Sequence, residues 1–219
     1  MIKAILFDMD GTLLDTEGIW NKAWTAVEEK YGFMFDPKIK DSFIGMPKQK
    51  MLEIKDSIIP SHLDYDEIQN FRVEFFHEYT SSHPIEIKQG AFECLNFLKS
   101  KGIKAIVCTS TYKERAIPWL KDAGLYDYFD DIVTGDIVKV GKPNPEIYEI
   151  TLKKNHLHAD ECLAVEDTTV GVLAATGADL KTFYIKDILD ISNEAYAKIY
   201  KQLDNLGEII KEIGGQENE

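Results

Sequence analysis

The segment near the N-terminus that is most informative about the fold is Ala4-Ile5-Leu6-Phe7-Asp8-Met9-Asp10-Gly11-Thr12. A short apolar run that ends in Asp and Gly turn residues is typical of a buried parallel strand. Similar runs predict further strands at residues 103–108, 131–134, 162–165 and 182–185. Helical patterns lie between them, at residues 91–100, 113–123, 145–155 and 169–176. Strands that alternate with helices predict an α/β fold with a doubly wound, Rossmann-like parallel sheet.

One long segment, residues 16–87, interrupts this alternation. Its apolar residues recur at helical spacing, and they predict helices near residues 20–27, 51–58 and 68–79. A helical block inserted directly after the first strand indicates a small cap domain over the sheet. We therefore expect an α/β catalytic core at residues 1–15 and 88–219 and a helical cap domain at residues 16–87.

The composition excludes several classes of partner. The formal net charge of −13 argues against a nucleic-acid binder and against an anionic membrane surface as a partner. No apolar run approaches the length of a membrane span, and the N-terminus does not resemble a signal peptide. The cysteines, Cys94, Cys108 and Cys162, form no C-x-x-C pair, which indicates reduced thiols. We expect a cytoplasmic monomer.

Two carboxylates follow the first predicted strand. The spacing of two between Asp8 and Asp10 places both side chains on the same side of an extended segment. Neighbouring carboxylates repel, so this pair predicts a bound cation or a shared proton. A cation would hold Asp8 ready to attack as a nucleophile, while Asp10 exchanges protons with the leaving group and then with water. Gly11 permits a tight turn that offers backbone N–H groups to a phosphate. The alternative for Asp8 is a turn-forming residue.

Polar residues also follow three of the other predicted strands, at the edge where ligands bind to open parallel sheets. Thr109 and Ser110 could bind a phosphoryl oxygen through hydroxyl and N–H groups. Lys142, between a glycine and prolines, could neutralise both a phosphate and Asp8. Glu166 and Asp167 supply the hard oxygen ligands that Mg²⁺ prefers.

Each of these groups also has a simpler interpretation. Thr109 and Ser110 could be ordinary turn or cap residues, and Lys142 could be an exposed loop lysine. Asp167 precedes a predicted helix and could be its N-cap, a role that is compatible with metal binding.

The order of these groups resembles the haloacid dehalogenase superfamily, in its branch of capped phosphatases and β-phosphoglucomutase-like proteins. The residues that carry this resemblance are Asp8-Met9-Asp10-Gly11-Thr12, Thr109, Lys142 and Glu166-Asp167. The run Val140-Gly141-Lys142-Pro143-Asn144-Pro145-Glu146 is especially characteristic of the branch.

The resemblance implies a role for each of these residues. Asp8 would be the nucleophile and Asp10 the general acid/base. Thr109 and Lys142 would position the phosphate and the nucleophile. Mg²⁺ would be bound by Asp8, the backbone carbonyl of Asp10 and Asp167, with Glu166 assisting.

Within this family the sequence favours phosphate hydrolysis. True dehalogenases lack the second aspartate, so Asp10 favours phosphate chemistry. Sugar-phosphate mutases of this branch carry a histidine early in the first cap helix, where this chain has Trp20. We predict a Mg²⁺-dependent phosphatase that hydrolyses a small phosphorylated metabolite, such as a sugar phosphate, through an aspartyl-phosphate. A mutase is the alternative, and Asp10 and the cap argue against a non-catalytic phosphoacceptor.

The cap contains weaker candidates for substrate binding. The loop Gly45-Met46-Pro47-Lys48 could face the substrate, and Lys48 and Arg72 could grip a phosphate or sugar. Alternatively, Lys48 and Arg72 could be solvated cations on the surface. Trp20 is a further candidate, although Trp20 and Trp24 also fit simple packing roles.

Overall fold

The computed structural model describes residues 1–43, 46 and 48–214, without the side chains of Asp41, Lys48 and Gln49. The chain divides into two compact units. We call the first, Met1–Asp15 with Glu86–Glu219, the core unit, and the second, Thr16–Ile85, the helical unit. The second boundary lies two residues before the limit of 87 expected from the sequence.

The core unit contains a parallel sheet. Its strands are β1 (Ala4–Phe7), β2 (Lys104–Cys108), β3 (Asp131–Val133), β4 (Cys162–Glu166), β5 (Lys181–Ile185) and β6 (Lys201–Leu203). They lie in the order β3-β2-β1-β4-β5-β6, and every neighbouring pair is parallel. This is the strand order of doubly wound nucleotide-binding sheets, so the predicted fold class is confirmed.

Seven of the helices, α1 and α3 to α8, agree with the predicted patterns, whereas α2, α9 and α10 were not predicted. In chain order they are α1 (Glu17–Tyr31), α2 (Pro37–Asp41), α3 (Lys48–Ile58), α4 (Tyr65–Ser82), α5 (Ala91–Lys101), α6 (Lys113–Asp122), α7 (Glu146–Lys154), α8 (Thr169–Gly177), α9 (Asn193–Tyr196) and α10 (Ile209–Gly214). The first four belong to the helical unit and the others to the core unit.

The centre of the core unit is β1, whose four residues are fully buried. Its alternate residues Ala4 and Leu6 belong to an apolar cluster with Tyr148 of α7 and Ala174 of α8. Burial of apolar surface on both faces explains why the strand sequences are continuous apolar runs. The position of β1 also fixes where the residues that follow it are placed.

The helical unit has its own apolar core. Its cluster combines aromatic and aliphatic side chains of several segments, namely Trp24, Val27, Phe35, Phe43, Met51, Ile59 and Ile68. Rings of Trp24 and Phe43 lie 4.8 Å apart, and those of Trp24 and Phe35 lie 5.3 Å apart. Aromatic pairs at such distances add to the stabilisation from burial.

Among the described residues, no helix combines the length and apolar character needed to cross a membrane.

Candidate active site

The site lies where β1 and β4 end side by side. Phe7 pairs with Val165 in the parallel register, and the Asp8 N–H donates to the Val165 carbonyl at 2.9 Å. Asp8 therefore lies at the same edge of the sheet as Glu166 and Asp167. This is the point at which the strand order reverses, the usual ligand position in open α/β sheets.

Lys142 connects the residues of this edge. Its Nζ donates to Asp8 Oδ1 at 2.6 Å, to Glu166 Oε1 at 2.6 Å and to the Cys108 carbonyl at 2.9 Å. Its side chain is 4% exposed, so the interpretation as an exposed loop lysine is wrong. A buried ammonium with three oxygen acceptors has its donors satisfied and is held in one orientation.

The charges of this cluster shift its proton affinities. Burial raises the pKa of the Asp8 carboxyl to about 8; Lys142 opposes this shift, and Glu166 adds to it. Burial would lower the pKa of Lys142, but the two carboxylates reverse this and raise it. One lysine cannot neutralise two buried carboxylates, so a proton or a second cation is favoured here.

Tyr148 contacts this cluster, and the sequence did not predict that contact. Its hydroxyl donates to Glu166 Oε1, the oxygen that also accepts from Lys142. Tyr148 is fully buried on α7, six residues after Lys142, and in the sequence it looks like an ordinary core residue. It fixes the Glu166 carboxylate and, through it, the lysine.

Asp10 is held by two threonines. Its Oδ2 accepts from Thr111 Oγ1 at 2.8 Å and from Thr109 Oγ1 at 3.2 Å. Thr109 is fully buried, and its Oγ1 accepts from the Thr111 N–H at 3.0 Å. Thr111 was not predicted, although it belongs to the same polar segment after β2. The two threonines therefore hold the Asp10 carboxylate, whose charge also contributes to raising the pKa of Asp8.

A tight turn after β1 brings Asp167 to the same place. Gly11 has a φ of 79°, which glycine adopts without strain, and its N–H donates to the Leu14 carbonyl. A Cβ at Gly11 would overlap the Asp167 carboxylate. Thr12 Oγ1 donates to Asp167 Oδ1 at 3.1 Å. The turn therefore packs directly against Asp167.

Three carboxylates of this site can hold a divalent cation. Asp8, Glu166 and Asp167 are buried and offer ligand oxygens that lie within 4.8 Å of one another. Glu166 Oε2 is buried and has no hydrogen-bond partner among the described residues. Mg²⁺ prefers carboxylate oxygens as ligands, and this cluster contains more carboxylates than lysines to balance their charge. The residue that caps α8 is Thr168, whose hydroxyl accepts from the Gly171 N–H, so the N-cap interpretation of Asp167 is wrong.

Of the remaining predicted residues, Ser110 belongs to the core unit, and Trp20 and Arg72 belong to the helical unit. Ser110 is exposed after β2. The Arg72 guanidinium lies 5.3 Å from the Trp20 ring and 3.6 Å from the Trp24 ring. Gly45, Pro47 and the Lys48 side chain lie outside the described part of the chain.

The doubly wound sheet and the buried acid–lysine cluster at its switch point define an α/β enzyme. A family model of haloacid dehalogenase-like hydrolases matches residues 2–179, and the chain belongs to this family. The "Phosphorylated carbohydrates phosphatase" of Thermotoga maritima is 34% identical over 192 residues, which cover 84% of this chain and 84% of that protein.

Solved structures give the same result. CbbY from Rhodobacter sphaeroides, in complex with phosphate, superposes with a TM-score of 0.80 at 26% identity, over 95% of this chain and 96% of that chain. β-Phosphoglucomutase from Clostridium difficile superposes with a TM-score of 0.78 at 25% identity, over 100% of this chain and 98% of that one. The family and branch inferred from the motifs are therefore confirmed.

Proposed function

We propose that this chain is a Mg²⁺-dependent phosphatase that hydrolyses a small phosphorylated carbohydrate through an aspartyl-phosphate on Asp8. The observation that carries the proposal is the position of Asp8, buried at the end of β1 and in contact with Lys142 at 2.6 Å. A buried carboxylate that is held by a lysine and lies beside two further acids has the properties of an activated nucleophile.

The reaction has two steps. In the first, an Asp8 carboxylate oxygen attacks phosphorus, the bond from phosphorus to the substrate oxygen breaks, and Asp10 donates a proton to that oxygen. In the second, water attacks phosphorus and gives a proton to Asp10, and the Asp8 carboxylate is released with inorganic phosphate. Thr109 and Thr111 orient Asp10 for both proton transfers through the contacts described above.

The carboxylates of Asp8 and Asp167 would hold the cation, together with the Asp10 backbone carbonyl that the family resemblance indicates. Bound Mg²⁺ would neutralise charge on the transferring phosphoryl group and favour the ionised form of Asp8. Glu166 accepts from both Lys142 and Tyr148, so its main role is to hold the lysine. Lys142 in turn holds Asp8 and would attract a phosphoryl oxygen.

The names of the relatives support a carbohydrate substrate. The Thermotoga protein is named for phosphorylated carbohydrates, and a variant of CbbY was crystallised with xylulose-(1,5)bisphosphate. The site of this chain supplies the phosphoryl-transfer groups that these substrates need. The sugar itself would be selected by residues of the helical unit.

A sugar-phosphate mutase is the second candidate, because β-phosphoglucomutase is among the similar structures. A mutase returns the phosphoryl group to a sugar hydroxyl, whereas a phosphatase transfers it to water. By the family resemblance, Trp20 takes the place where mutases of this branch carry a polar histidine, and this favours hydrolysis.

The test is an assay of released phosphate and of isomerised sugar phosphate, with Mg²⁺ and a panel of hexose, pentose, nucleotide and short-chain phosphates. We expect phosphate release from sugar phosphates and no matching isomer. Asp8→Asn should reduce turnover to less than about a hundredth, because an amide cannot form the acyl phosphate. The matched control is Asp122→Asn, at an exposed position of α6, which should retain full turnover.

Three results would contradict the proposal. One is a rapid exchange of glucose 1- and 6-phosphates without release of phosphate, which would establish the mutase. Another is substantial turnover by Asp8→Asn. The third is full activity in excess chelator, because the proposed cation would then have no role.

A further inference from the structure

A second lysine–carboxylate pair lies next to the candidate active site. Asp187 follows the end of β5 by two residues, and its Oδ1 accepts from Lys88 Nζ at 2.5 Å. The Lys88 N–H donates to the Leu13 carbonyl at 2.9 Å. This bond fixes the lysine against the turn that follows β1. Like the other acids of the site, Asp187 lies just after a buried strand, although it was not predicted as a site residue.

The second oxygen of Asp187 has no hydrogen-bond partner in the part of the chain that the structure describes. The side chain is 8% exposed, and Oδ2 is buried. A buried carboxylate oxygen without a donor is costly to stability. Such an atom in a native site indicates a ligand or water that belongs there.

The orphan oxygen lies on the Asp167 side of the turn. A Cβ placed on Gly11 would lie 3.0 Å from Asp187 Oδ2 and would overlap Asp167 Oδ2. Both oxygens therefore lie against Gly11, which allows this close approach because it has no side chain. Asp187 is not one of the three carboxylates whose oxygens lie within 4.8 Å of one another. This separation argues against direct coordination together with those three acids.

We propose that Asp187 is a positioning residue for the hydrated cation, with its Oδ2 accepting a hydrogen bond from a metal-bound water. Lys88 holds Oδ1 and so keeps Oδ2 directed into the site. Mg²⁺ characteristically keeps several of its waters, which need acceptors beyond the ligand shell. This inference rests on the proposed function, because it assumes that the cation binds beside Asp8 and Asp167.

The competing explanation is a purely structural ion pair between the segment after β5 and the segment at Lys88. Such a pair would contribute to folding but not to cation affinity. The two explanations therefore differ in a quantity that can be measured without any substrate, the dissociation constant of Mg²⁺.

The experiment is isothermal titration of the metal-free protein with Mg²⁺ alone, with the unfolding temperature in chelator measured in parallel. Asp187→Asn preserves the shape, and its amide oxygen can still accept from Lys88, but an NH₂ group then replaces Oδ2. We expect the dissociation constant to rise about tenfold, the low end of the effect of outer-shell partners.

The matched control is Asp131→Asn. Asp131 accepts from Lys154 Nζ at 2.7 Å and from Asn155 Nδ2 at 2.9 Å. It is the first residue of β3, the outermost strand on the other side of β1 from β5. This variant should leave Mg²⁺ affinity unchanged, whatever it does to the unfolding temperature.

The outcomes separate this inference from the proposed function. If the wild-type protein binds no Mg²⁺, the proposed function itself is wrong. If the wild type binds Mg²⁺ and Asp187→Asn binds it equally well, only the role of Asp187 is overturned. An equal loss in Asp131→Asn would also overturn it, because the effect would then be unrelated to the site.

Discussion

At the residue scale, the candidate site depends on Lys142. This lysine contacts the proposed nucleophile and Glu166, and burial removes the water that would otherwise solvate all three charges. Breaking a buried ion pair by removing one partner is far more harmful than breaking an exposed one, since a buried charge is left uncompensated.

This difference leads to a prediction about stability. Lys142→Met keeps much of the side-chain volume but leaves Asp8 and Glu166 unpaired. We expect it to lower the free energy of unfolding in chelator by roughly 3 kcal/mol and to abolish turnover. Lys154→Met, which breaks a pair whose lysine is 53% exposed, should cost less than about 1 kcal/mol. Urea denaturation measures both, and equal losses would show that burial does not strengthen the Lys142 contacts.

The sequence predicted the residues of this cluster that follow a strand and belong to a motif. Asp8, Thr109, Glu166 and Asp167 all follow or end buried apolar runs, and parallel pairing then brings them to one edge. Tyr148 could not be found in this way, because an aromatic residue on a helix usually belongs to the core. Its role is visible only once its hydroxyl is placed against Glu166.

At the element scale, the turn after β1 requires a residue with no side chain. Gly11 and Gly102 both have positive φ, 79° and 67°, but only at Gly11 would a Cβ meet other atoms. Gly102 ends α5 and has open space around it. A comparison of substitutions at these two positions therefore distinguishes the effect of backbone strain from the effect of a collision with the site.

We predict that Gly11→Ala and Gly102→Ala both lose about 1 kcal/mol of stability from the left-handed backbone. Only Gly11→Ala should also lose turnover and Mg²⁺ affinity, because its methyl group displaces the Asp167 carboxylate. Thermal denaturation and Mg²⁺ titration of the two variants provide the comparison. Normal Mg²⁺ binding by Gly11→Ala would mean that Asp167 does not bind the cation from this position.

The elements that the sequence missed are short or exposed. β6 has two exposed residues out of three, so it lacks the apolar run that identified β1 to β5. α2, α9 and α10 span five, four and six residues, too few to show a helical period. Edge strands and single-turn helices depend on tertiary contacts that no local pattern records.

At the scale of the whole molecule, the chain combines a core unit that contains the proposed active site with a helical unit that we propose selects the substrate. In the helical unit, Trp20 stacks on Phe76 at 4.2 Å, and Arg72 lies over Trp24. An arginine and an indole ring are suitable groups for binding an anionic sugar.

We predict that Trp20→Ala and Arg72→Ala change the ratio of kcat/KM between sugar phosphates, whereas Asp10→Ala impairs every substrate. The matched control is Arg115→Ala, since Arg115 lies 5.9 Å from the Trp119 ring in the core unit. It should leave the ratio unchanged. The substrate panel measures all four variants, and unchanged ratios in both helical-unit variants would refute this role for that unit.

The proposed role of Asp8 as carrier of the phosphoryl group can be tested by ¹⁹F NMR with beryllium fluoride, which requires no knowledge of the substrate. Trifluoroberyllate binds an aspartate oxygen as a mimic of a phosphoryl group. With Mg²⁺ present, we predict bound fluorine resonances for the wild-type protein and for Asp122→Asn. These resonances should be absent for Asp8→Asn and should disappear from the wild type when chelator is added. Bound resonances that persist in Asp8→Asn, or none in the wild type, would contradict the claim.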